Sequence, residues 1–232
     1  MSDQPPRTST SWPSQHTRTS RSNPIRRDGQ LSRSRLLRAA GDLLATEAEI
    51  TLAEVAAAAG VSTATAYRHF QSASDVAQAF VAGFLDDVEH RTTTTTEAPD
   101  PDPERRLLQL CRIWVETVID WGPALAYLRS PEGFLARRAR HEPEMQRSLR
   151  HVEPTMRAVL ARNGGEAPAE PTDDELAYAL SIWNALSDPR EVLDQTSTLS
   201  WSPERITSHL HEAVLAVVTA PHQGRAGHSA SW

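Results

Sequence analysis

Apolar residues recur at three- and four-residue spacings along most of the chain, the period of a helix with one buried face. Leu36, Ala40, Leu43 and Leu44 share a face of a first helix over Leu36 to Ala45. Val76, Phe80, Phe84 and Val88 form a stripe on a helix running from Ser72 or Ser74 to about Arg91. Leu107, Leu110, Cys111, Trp114, Val118 and Trp121 do the same between Pro103 and Trp121. Leu176, Ala179, Leu180 and Trp183 mark a helix over Asp173 to Leu186. Ile206, Leu210, Val214 and Val217 mark a last one over Ser202 to Thr219, with Ser202 and Pro203 as its start signal. No convincing buried strand is legible, so the fold class is all-α. The polar, Pro-rich run TTTTTEAPDPDP (Thr92 to Pro103) reads as a break. Pro123 to Arg140, with Pro123, Pro131 and Gly133, reads as short helical pieces that could wall a pocket. Pro143 to Asn163 reads as one charged, solvated helix in which Pro154 sets a kink.

The densest information lies in TLAEVAAAAGVSTATAYRHF, Thr51 to Phe70. Thr51 caps a helix with Glu54 as capping-box partner. Leu52, Val55, Ala56 and Ala59 share its inner face, and Ala56 is small enough for close crossing. Gly60 ends it in the left-handed conformation, and Val61 plugs the corner. Ser62 caps the next helix, whose Ala66 and Phe70 point inward. Thr63, Ala64, Tyr67 and Arg68 then face outward, with Thr65 and His69 beside them. A helix, a glycine turn and a short second helix of this make-up is a helix-turn-helix, which lays its second helix in the DNA major groove. Arginine can grip guanine edges and threonine can contact bases. Tyrosine and histidine suit phosphate contacts, which fix position but not sequence. The same residues would also suit a plain helical hairpin.

Charge separates the two readings. Residues 1–70 hold 9 Arg against 6 Asp and Glu, whereas residues 71–232 hold 15 Arg against 24. The formal net charge is −6, so the basic character is confined to the end that carries the motif, as a phosphate-facing surface requires. All 24 basic residues are Arg; with the many Ala, this points to a GC-rich bacterial genome. Cys111 is the single cysteine, which excludes an intramolecular disulfide and fits the cytoplasm. No apolar run reaches the roughly 20 residues that span a bilayer, and no signal peptide is legible at the N-terminus.

The motif, its preceding helix and its following one resemble the TetR family of transcriptional regulators over roughly Ser32 to Phe84. The resemblance rests on LLRAAGDLLA, ITLAEVAAAAGVS, TATAYRHF with its Tyr67-x-x-Phe70 ending, the QSAS connector and a helix starting near Asp75. It implies a three-helix DNA-binding head, a helical ligand-binding and dimerisation domain, and a homodimer that represses transcription until a small molecule binds. Carried over by position, Thr51 would touch a phosphate. Ser62, Tyr67 and His69 would hold the DNA backbone, and Thr63, Ala64, Thr65 and Arg68 would meet base edges. Two positions depart from the family pattern: Ala73 stands where a phosphate-binding Lys is usual, and Thr46–Glu49 replaces a Gly-containing loop. LacI-type heads also contain AGVS followed by Thr, but they begin at the motif and precede α/β domains.

The resulting division is a disordered basic arm (1–29), a helix-turn-helix domain (30–74), a ligand-binding and dimerisation domain (75–220) and a disordered tail (221–232). The arm could reach a minor groove or be an inert extension. The long helix after the motif is expected to be the sole link carrying a ligand signal to the head. Cys111, Trp114, Val118, Tyr127, Phe134 and Trp183 are candidates for an apolar ligand cavity, with plain core packing as the competing reading. The final two helices are expected to form the dimer surface, as the resemblance implies. A ligand-binding or interaction protein with a vestigial head is the alternative function. Enzyme motifs are missing: no Gly-rich phosphate loop, no G-x-S-x-G, no H-E-x-x-H. His209 and His211, two apart on a helix, diverge and cannot share a metal. No cofactor and no membrane partner are expected; the expected partners are operator DNA, an unknown small molecule and a second copy of the chain.

Overall fold

The computed structural model describes residues 24–46, 49–95, 102–127, 132–162 and 170–220. Among them every regular element is a helix: α1 (Pro24–Leu44), α2 (Leu52–Ala58), α3 (Thr63–His69), α4 (Ala73–Thr95), α5 (Pro103–Trp121), α6 (Ala124–Tyr127), α7 (Phe134–Ala139), α8 (Pro143–Leu149), α9 (Val152–Arg162), α10 (Asp173–Leu186), α11 (Pro189–Ser197) and α12 (Pro203–Val218). None is long and apolar enough to cross a membrane. Residues 1–23 of the expected arm and the whole of the expected tail lie outside the described residues.

The head is built as its sequence requires. Leu36, Ala40, Leu52, Val55, Ala56, Ala66 and Phe70 are buried together, where α1, α2 and α3 meet. The capping box of α2 is closed on both sides: the Glu54 amide donates to Thr51 Oγ1, and the Thr51 amide donates to the Glu54 carboxylate at 2.7 Å. Gly60 takes φ 64°, a conformation that costs glycine little. The chain then turns and Ser62 caps α3 through the Thr65 amide. α1 begins at Pro24, well before the expected Leu36, so the expected arm overlaps a helix. At its far end Gly29 comes up against the ring of His69.

α4 leaves the head behind a cap in which Asp75 accepts from the Gln71 and Ser72 amides and Ser72 Oγ accepts from the Asp75 amide. It runs through Thr95, so the expected break at Thr92 is wrong. Thr92, Thr93 and Thr94 donate their hydroxyls to carbonyls one turn back, at Val88, Glu89 and His90. Those bonds let threonine continue a helix that its branching disfavours.

The larger bundle packs α5 against α12, α9, α4 and α11, and α10 against α12, α9 and α7. Several expectations fail here. Pro143 to Asn163 is two helices, not one solvated helix. The chain breaks at Arg150–His151, and Pro154 sits in the first turn of α9, where a missing amide costs nothing. Met145, Leu149, Val152, Met156 and Val159 are buried there. α11, between the two predicted C-terminal helices, was not legible as a helix; Asp188 and Pro189 start it. On α12 the inner stripe ends on Val218, not Val217, continuing the four-residue step from Ile206. α4 is also not the sole bridge to the head, because α6 packs on α1.

Candidate nucleic-acid interface and ligand cavity

α3 turns Ala66 inward, and Phe70 closes the far end under a guanidinium from Arg33, 5.4 Å from the ring centre. Thr63, Ala64, Tyr67 and Arg68 are exposed, and Tyr67 is 57% accessible despite its size. Tyr67 and Arg68 thus stand side by side on the solvent face of a helix whose other face is held in the core.

Four predicted contacts sit differently. Ser62 Oγ and Thr65 Oγ1 are 2.9 Å apart, so both hydroxyls serve the cap of α3 first. Thr51 Oγ1 donates to Glu54 at 2.7 Å, so its proton is committed to a carboxylate that would itself repel a phosphate. His69 is half-buried, with Nε2 shielded and without a hydrogen-bond partner. Burial, then the neighbouring Arg68 and Arg33, holds its pKa below the ordinary imidazole value. The ring is tucked towards α1, unlike the exposed side chains of Thr63, Ala64, Tyr67 and Arg68.

Residues 36–80 match the model of the bacterial regulatory proteins of the tetR family. The head belongs to the TetR family. With it, the chain is a DNA-binding transcriptional regulator. The fold beyond the TetR head agrees. A TetR-family transcriptional regulator from Streptomyces coelicolor superposes with TM-score 0.51 at 19% identity, over 82% of each chain. One described as a TetR-family regulator from Syntrophomonas wolfei str. Goettingen gives TM-score 0.52 at 13% identity, over 84% of this chain and 98% of that one. No curated protein matches the sequence significantly.

The larger bundle contains a cleft of about 170 Å³ between α4, α5, α7, α8 and α10. Of the sequence candidates, Trp114, Phe134 and Trp183 line it, together with Phe84, Leu125 and Met145. Cys111 and Val118 do not. Both are fully buried in the packed core, because they stand about 60° and 40° round α5 from Trp114 at 100° per residue. Burial pushes the Cys111 thiol pKa strongly up, so it is an inert packing group. The side chain of Tyr127 lies outside the described residues. The helical stripe marked Trp114 but could not separate cavity wall from core, since one stripe serves both.

The tertiary structure adds polar groups that sequence reasoning missed: Ser148, Asn184 and Ser187 line the cleft. The Ser187 carbonyl accepts from Trp114 Nε1 at 2.8 Å, and its hydroxyl donates to the Trp183 carbonyl at 2.6 Å. Trp121 donates to Asp87 at 3.0 Å and stacks edge-on to Phe80 and Phe84. Phe84 meets Trp114, and Trp114 meets Trp183. A continuous row of aromatic edges therefore runs from α4 to the cleft. Among the described residues no group of three or more His, Cys, Asp and Glu could hold a metal. His209 stacks on Trp201 while His211 Nε2 reaches the Glu104 carbonyl.

Proposed function

We propose that the chain acts in the cytoplasm as a homodimeric repressor of a two-fold DNA operator, released when a small molecule enters the cleft. The observation that carries the DNA reading is α3 itself: Ala66 fixed in the core, with Thr63, Ala64, Tyr67 and Arg68 turned outward. Arg68 is the base-reading group, with Thr63 and Ala64 beside it, and Tyr67 holds the phosphate backbone. A dimer suits this geometry, because two heads reading one face of DNA must sit about 34 Å apart or a multiple of it.

The dimer surface is the outer side of α10 and α12. The stripe expected to pair with the partner is spent inside the protomer: Leu176, Leu180, Trp183, Ile206, Leu210 and Val214 are all buried. A second stripe on α10, at the same four-residue step, faces out. Tyr178 is 45% and Leu186 38% exposed, with Ile182 half-buried between them.

Selection of bound duplexes from a random pool at two salt concentrations tests the reading. An enriched inverted repeat is expected. Binding that is only steeply salt-dependent, with no enriched sequence, would overturn it.

A further inference from the structure

A second, smaller space adjoins the cleft. Leu85, Trp114, Ser148 and Trp183 also wall this space of about 20 Å³, enough for one water or one ligand atom. His151, in the two-residue turn between α8 and α9, lines that smaller space. Its Nε2 is shielded from solvent and has no hydrogen-bond partner. A buried ring nitrogen left unpaired is costly, so a ligand atom that brings a hydrogen bond here gains over one that meets only apolar walls.

The charges nearby are already spent. Arg147 pairs with Asp86 and Glu89, and Arg137 pairs with Glu142 at 2.8 Å. Glu144 is exposed at the mouth, where water screens it. An anionic ligand would meet no unpaired arginine among these, and a cation would meet no desolvated carboxylate. The walls are aromatic edges and faces from Phe84, Trp114, Phe134 and Trp183. Cavities of about 150 Å³ with apolar linings hold a benzene ring, so this one suits one or two fused rings.

We infer that the cleft takes an uncharged, planar ligand of one or two fused rings. Its hydroxyl or carbonyl oxygen bonds to His151. This rests on the regulator reading and specifies its ligand. The same cleft touches two elements that reach the head: Val81, Phe84 and Leu85 on α4, and Leu125 on α6, which packs on α1. A ligand wedged against Leu125 and Phe84 therefore bears on the head from two sides.

The test uses the full chain and three probes at pH 7 by titration calorimetry: 2-naphthol, 2-naphthoate and 2-naphthylmethylammonium. The neutral naphthol is expected to bind at least tenfold tighter than either ion. His151→Leu should weaken naphthol at least fivefold, and His151→Gln, which keeps a hydrogen-bonding amide, should recover part of that loss. Chemical melts of both variants separate this from misfolding. Equal or tighter binding of an ionic probe, no binding by any probe, or unchanged naphthol affinity in folded His151→Leu would overturn the assignment. Naphthol that binds yet leaves a selected duplex bound would sink the repressor-release reading and spare the ligand class. Release of the duplex by another small molecule, with naphthol silent, would do the reverse.

Discussion

At position 68 a guanidinium stands in water beside an exposed tyrosine ring, on a helix anchored by Ala66 and Phe70. Arg68→Ala should cost about 1–3 kcal/mol of operator binding and relax sequence preference. Tyr67→Phe should weaken all duplexes about equally, since a phosphate contact carries no sequence information. Fluorescence anisotropy on matched and scrambled duplexes checks both; unchanged operator affinity in Arg68→Ala would end the base-contact role. Gly83 offers a second residue-scale case. A Cβ there would lie 2.9 Å from the Trp121 ring, which is pinned by Asp87 and two phenylalanines. Overpacking against a pinned ring costs about 1–3 kcal/mol, more than the about 0.5–1 kcal/mol alanine gains over glycine in a helix. Gly83→Ala should therefore lower the melting temperature, even though helix propensity alone predicts a rise. Arg68 was legible because its neighbours fixed the helix phase. Gly83 was not, because its reason is a side chain 38 residues away in sequence.

Among the elements, α2 depends on its cap. Hydrogen bonds from the Thr51 hydroxyl and then its amide hold the Glu54 carboxyl below its ordinary pKa. A folded-state value below the unfolded one gives stability that is present above the unfolded pKa and lost as pH falls through the folded one. Head stability should thus decline with acid below about pH 4.3, the ordinary glutamate value. Glu54→Gln should flatten part of that decline; urea melts between pH 7 and pH 3 would show it, and an identical acid slope in the variant would refute the assignment. The caps at Thr51, Ser62, Ser72 and Ser202 were readable because each is a local contract between residues two to four apart. The ends of α4 and α8 were not. Threonine back-bonding extended α4 past a run that looks like a loop, and the break before α9 has no glycine to announce it.

In the whole molecule, the apolar stripe Tyr178, Ile182 and Leu186 is the surface left over once the core has taken its share. Tyr178→Arg with Leu186→Arg should convert the proposed dimer to monomers in sedimentation and weaken operator binding, leaving the protomer folded. A variant that stays dimeric would move the interface elsewhere. The sequence by itself determined the all-α class, the three-helix head and the outward face of α3. Those follow from periods of three and four and from caps, all of them local. Tertiary structure decided which stripe is core and which is surface on α10, and that Trp114 walls a cleft while Cys111 and Val118 fill the interior. It also brought α6 onto α1 and shielded His151 Nε2 from solvent. Each of these is a meeting between helices distant in sequence, and helical periodicity says which residues share a face but not what that face will meet.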